Sequence, residues 1–175
     1  MSDFVMSQPR IVGTSNRRRE LPGGVWASAL VLGIGYYVGA EVGFALTFDP
    51  HPVSTLWPPN AILLAALLLA PTRWWWVLLV AAFPAHVVVA LNSGVPIAMI
   101  LCWFVSNSCE ALIGAICVRR YSKGVLRFDS LQEVGVFLVF AAFLAPVASS
   151  FLDAGFVKLV GWGTDSYCHC GELVP

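Results

Sequence analysis

The chain has 175 residues, of which 58% are hydrophobic and 11% charged, with a formal net charge of zero. Soluble domains carry about a quarter charged residues, so this composition excludes one and describes an all-α, multi-pass integral membrane bundle of about five spans. The basic residues form no stripe of the kind that grips a phosphate backbone, which excludes nucleic acid as a partner.

Residues 1–24 are polar and include Arg17, Arg18 and Arg19. The apolar run after them is too long for a signal-peptide core and no cleavage site follows it, so the sequence predicts a retained, cytoplasmic tail. A first span is expected from Trp26 to Phe48, closed by Asp49-Pro50-His51-Pro52. Within it Gly35, Gly39 and Gly43 recur every four residues, which leaves one flank without side chains and lets a second helix approach the backbone.

Trp57-Pro58-Pro59-Asn60 opens the next segment. Consecutive prolines suit the first turn of a helix, where the missing N–H groups have no partner to lose, and an indole at that start favours the headgroup level. As helix, Trp57 to Ala70 rises only about 21 Å, short against roughly 30 Å of hydrocarbon. Such a helix reads either as an ordinary short span that thins the bilayer or tilts its neighbours, or as a proline-bounded helix that ends inside protein, where free N–H groups meet a ligand or polar side chain. Trp57, Pro58, Pro59 and Asn60 are therefore ligand or signalling candidates.

A third span is expected from Trp74 to Leu91, loosened at Pro84, and a fourth from Val95 to Val118 after the turn Asn92-Ser93-Gly94. Arg119, Arg120, Lys123 and Arg127 form a basic loop, and Leu131 to Phe151 makes a fifth span with Pro146 in its later part. Gly155 to Val160 is too short to return across the bilayer. With the N-terminus inside, Arg10, Arg17, Arg18, Arg19, Arg73, Arg119, Arg120, Lys123 and Arg127 all lie on the cytoplasmic side; of the ten Lys and Arg, Lys158 alone lies outside.

Glu41, His86 and Glu110 fall within the expected spans, where ionisable groups are costly and usually face the bundle interior. Trp103, Asn107, Glu110 and Gly114 follow one another at spacings of four, three and four, so they share one inward face of the fourth helix. Glu110 reads either as a proton-sensitive or ligand-coupled group or as a structural acid. By helical rise Glu41 and Glu110 differ in level by very roughly 10 Å, so no direct pair is expected. His86 follows Pro84 closely and is expected to bond a carbonyl freed by that proline rather than a metal.

Cys102, Cys109 and Cys117 read as small packing residues. Cys168-His169-Cys170 supplies too few ligands for a tetrahedral metal shell. No nucleophile and base, phosphate loop or Cys-x-x-Cys occurs, so neither an enzyme nor a cofactor is expected.

The chain resembles the first type of membrane-associated sensor (MASE) domain, the N-terminal input of bacterial histidine kinases and diguanylate cyclases. The resemblance runs from about Val25 to Gly155. It is carried by Trp57-Pro58-Pro59 before Ala61 to Leu69, by Asn107, Glu110, Ala111 and Gly114 leading into Arg119-Arg120, and by Phe128, Leu131 and Val134. Asn60 stands where that family more often has a small residue, and His86 replaces a common Asn. The resemblance implies a sensory domain in the bacterial inner membrane that relays a signal to a cytoplasmic output domain in two-component or cyclic di-GMP systems.

This divides the chain into a cytoplasmic tail (1–24), a sensor domain (25–155) and a divergent tail (156–175) that reads as truncated before the family's output domain. The expected function is a sensory input module in the lipid bilayer. It binds a ligand or a membrane partner protein, with a homodimer allowed, and passes on a conformational signal. The alternatives are a small transporter or channel subunit, with Glu41 and Glu110 as pathway acids, or an inactive fragment.

Overall fold

A computed structural model of the chain describes residues 24–47, 54, 56–122 and 128–161. These residues form five helices: α1 (Gly24–Ala45), α2 (Pro58–Leu69), α3 (Trp75–Asn92), α4 (Ile97–Tyr121) and α5 (Leu131–Val160). A 3-10 turn, Thr72–Trp74, leads into α3. The helices α1, α4 and α5, and α3 with its leading turn, are long and apolar enough to cross a membrane, and α2 is a shorter apolar helix. The chain is thus a multi-pass helical membrane bundle.

Helix direction alternates along the chain. A Cβ placed on Gly43 would stand 2.6 Å from the Trp57 ring, and one on Gly39 would stand 2.9 Å from Ile62 Cδ1. Hence α2 runs back along α1. Gly33 faces the Ala81 carbonyl and Tyr36 faces His86, so α3 is parallel to α1. Phe83 and Phe104 meet edge to face while His86 reaches Ile100, which makes α4 antiparallel to α3. Tyr121 stacks on Phe140 and Glu110 meets Ser149, so α5 is antiparallel to α4.

The short α2 is the packing centre. Its prolines occupy the first helical positions as the sequence predicts, and Leu63 and Leu67 are fully buried among Leu32 and Tyr36 of α1, Leu78 and Ala82 of α3, and Ala111 and Ala115 of α4. The glycine stripe of α1 carries this approach: Gly35 and Gly39 lie against Ile62, and Gly43 lies under Trp57. Gly114 does the same on α4, with Leu64 on one side and the Ala141 backbone on the other.

One expectation changes. The fifth helix does not stop at Phe151 but continues to Val160, because Phe156, Val157 and Val160 pack on the Met99 and Ile100 cluster at the start of α4. Gly161, at φ 71°, ends it in a left-handed conformation that suits glycine. In addition, Leu138–Leu144 is π-helical. Pro146 has no N–H for the carbonyl of Ala142, and the wider turn lies immediately before it.

Candidate functional site: a polar line inside the bundle

Four helices contribute polar side chains to the bundle interior. Tyr36 of α1 is completely buried, and its hydroxyl lies 3.3 Å from His86 Nδ1 of α3. His86 Nε2 lies 3.1 Å from the Ile100 carbonyl of α4. A carbonyl only accepts, so Nε2 carries the proton and Nδ1 of the neutral ring accepts from Tyr36. His86 therefore bonds neighbouring helices and not a carbonyl freed by Pro84; α3 stays helical through that proline, and the imidazole points across the bundle.

From Tyr36 the line passes to α4. The Asn107 side chain is in hydrogen-bonding reach of the Tyr36 hydroxyl, and Glu110, one turn further on, acts on it electrostatically. On its other side Glu110 Oε2 accepts from Ser149 Oγ of α5 at 2.5 Å. Ser106 Oγ donates to the Ser149 carbonyl at 3.2 Å. Asp153, one turn beyond Ser149, stands beside Ser106 and in electrostatic reach of Glu110, with its Oδ1 buried and unpartnered. Asn107 and Glu110 thus lie where the spacing of the fourth helix places them, between α1 and α5.

Sequence reasoning missed Tyr36, Ser106, Ser149 and Asp153. A signal was present for the last two: Ser149 and Asp153 are four apart and share a helix face. A span that ends at Phe151 leaves Asp153 outside the membrane, which hides this pattern.

Glu41 does not join the line. It is exposed on the outer face of α1 beside Tyr37 of its own helix, so the expectation that it faces the interior is corrected. A glycine flank turned toward α2 forces neighbouring positions outward. At the start of α2, Trp57 meets Phe44 edge to face at 5.3 Å. Trp57 Nε1 and Asn60 Oδ1 are both buried without a hydrogen-bond partner. Pro58 and Pro59 lack N–H groups, so they supply shape only.

Arg119 is more than a marker of topology: it bonds the C-terminal carbonyls of α2. Arg120 is exposed. Arg17, Arg18, Arg19 and the Cys168-His169-Cys170 stretch lie outside the described residues. Cys102, Cys109 and Cys117 are free and partly buried, and no group of three or more His, Cys, Asp or Glu able to hold a metal occurs among the described residues.

Polar side chains from four helices thus face one another inside a helical membrane bundle. The family model MASE1 matches residues 28–159. The chain belongs to the MASE1 family of membrane sensory domains. Comparison with curated proteins and with solved structures gave no match.

Proposed function

We propose that this chain is the sensory input module of a bacterial signalling protein of the inner membrane, with its N-terminus cytoplasmic. It takes up a ligand or a membrane partner and passes a shift in helix position to a histidine kinase or diguanylate cyclase output, without catalysing a reaction. The observation that carries this reading is the set of interior hydrogen bonds that joins four helices, Tyr36 of α1 to His86 of α3, His86 to Ile100 of α4 and Ser149 of α5 to Glu110 of α4, by groups that hydrocarbon would otherwise penalise. Any stimulus that alters one member changes the register of several helices. The exposed position of Glu41 counts against the transport reading, since it takes one of the two pathway acids out of the bundle.

The test replaces the corresponding input domain of a MASE1-containing kinase or cyclase with residues 24–161 and compares output and membrane level for wild type, Glu110→Gln and Glu110→Leu. The Gln form keeps hydrogen bonding at nearly the same volume, so its membrane level should be normal and its output altered. The Leu form removes the Glu110–Ser149 hydrogen bond between α4 and α5 and leaves the Ser149 hydroxyl only the Pro146 carbonyl of its own helix, at a cost of about 0.5 to 1.5 kcal/mol or more, and should lower membrane level. A Gln form normal in both would reduce Glu110 to a structural acid.

A further inference from the structure

The end of the bundle at which α2 and α4 finish is basic. From Pro58 to Ser122 the only acidic residue is Glu110, which accepts from Ser149 and stands about 14 Å of helical rise before Arg119. Over the same stretch the basic residues are Arg73, Arg119 and Arg120, and all three come to this end. Arg119 joins them into one rim. Its Nη2 reaches the Leu67, Leu68 and Ala70 carbonyls just before the turn Thr72–Trp74, and its guanidinium lies 4.9 Å over the ring of Trp75 just after it. The turn that carries Arg73 is thereby bracketed by contacts of Arg119, and Arg120 is the next residue along α4.

The carbonyls that end α2 already have donors in Arg119 and the Trp75 indole. Arg73 and Arg120 are not needed there: both are exposed, and Arg73 lies 5.7 Å over the ring of Trp74. Trp76 and Tyr121 at the same end are 60% and 56% exposed, amphipathic rings of the kind that settle among headgroups. The acidic groups at this end belong to the start of α5 and the residues before it, where Asp129 is exposed and Glu133 accepts from the Phe128 N–H. Against these two stand Arg73, Arg119, Arg120 and, in the sequence between α4 and α5, Lys123 and Arg127. The opposite end shows no such excess, since among the described residues its exposed charged side chains are Glu41 and Lys158, one of each sign.

We propose that this rim binds anionic phospholipid, with the headgroup phosphate held at Arg73 and Arg120 and the acyl chains lying along the outer surfaces of α3 and α4. The two helices present apolar side chains in the right place. Trp76 and Val80 follow Arg73 on one face of α3, Ile116 precedes Arg120 by one turn of α4, and all three are exposed. A guanidinium meets phosphate oxygens with several donors at once. Near an anionic membrane surface each basic residue changes association by about fivefold. Phosphatidylcholine carries the same phosphate beside a quaternary ammonium, which a basic rim repels, so the preference is for headgroups of net negative charge. With the N-terminus cytoplasmic, as proposed above, this lipid belongs to the cytoplasmic leaflet. The inference goes beyond the sensory reading and stands without it.

Native mass spectrometry of the full chain in neutral detergent provides the test, with dioleoyl phosphatidylglycerol, dioleoyl phosphatidylcholine and inorganic phosphate as probes. The unaltered chain should bind its first phosphatidylglycerol more tightly than phosphatidylcholine of the same acyl chains. Raising ammonium acetate from about 0.1 to about 1 M should remove that preference by screening. Arg73→Gln and Arg120→Gln should each weaken phosphatidylglycerol about fivefold, and the double variant should bring the two lipids level. Arg73→Lys and Arg120→Lys keep the charge and should keep the preference, as should Lys158→Gln at the other end. Melting without lipid should be alike in all forms, because every substituted side chain is exposed. Equal binding of the two lipids by the unaltered chain, or a preference untouched by salt or by the double variant, overturns the proposal. Inorganic phosphate that displaces the lipid at equal concentration makes the rim a free-anion site and overturns it as well.

Discussion

Arg119, in the last turn of α4, donates to the carbonyl of Leu67 at 2.7 Å across 52 positions of sequence. The same Nη2 reaches the carbonyls of Leu68, at 2.9 Å, and Ala70. The guanidinium lies 4.9 Å over the ring of Trp75, whose own Nε1 donates to the Leu67 carbonyl at 2.9 Å. A helix ends with carbonyls that have no intrahelical donor, and a position away from water makes that costly. Arg119 and Trp75 supply the donors, and the positive charge also suits the negative end of the α2 dipole.

Removing this cap should weaken the bundle at its centre. Arg119→Ala is expected to cost about 2 to 3 kcal/mol, in the range of hydrogen bonds to charged groups. Arg119→Lys should recover less than half, since an ammonium lacks the planar fork that stacks and spans several carbonyls. Thermal aggregation of the purified chain in detergent measures both. Equal stability of wild type and Ala forms would mean that water already serves these carbonyls.

The glycine flank of α1 makes a second prediction. Gly39→Leu places a branched side chain where even a Cβ would stand 2.9 Å from Ile62 Cδ1 and 3.5 Å from Pro59 N, so α2 must move away. Overpacking of this kind costs about 1 to 3 kcal/mol or more. Leu30→Ala, at a side chain 65% exposed, should be far milder. Expression level and melting in detergent decide between them, and equal tolerance would contradict the packing.

A third prediction concerns orientation. The helices alternate in direction, so the end of α4 and the start of α5 lie on the side from which α1 starts, and the end of α5 lies on the opposite side. With basic residues held inside, alkaline phosphatase fused after Gly161 should be active, and the same enzyme placed between Ser122 and Phe128 should be inactive. The reverse pattern would place the N-terminus outside.

Much of the architecture follows from local sequence. Hydrophobic runs of membrane length, Pro58-Pro59 at a helix start and glycines every fourth residue act through backbone geometry and burial, which depend on neighbours along the chain. Five helices, the short second one and its glycine-lined partner were legible for that reason, as was the shared face of Asn107 and Glu110. Partnership across helices was not. That His86 turns to Tyr36 and Ile100, that Glu41 faces outward, and that Arg119 caps a helix 49 to 52 positions away depend on how each helix is rotated about its axis. Rotation is set by packing against all neighbours at once. Asp153 shows the limit most plainly: composition alone stops the fifth span at Phe151, and only docking of Phe156, Val157 and Val160 on α4 carries the helix onward through Asp153.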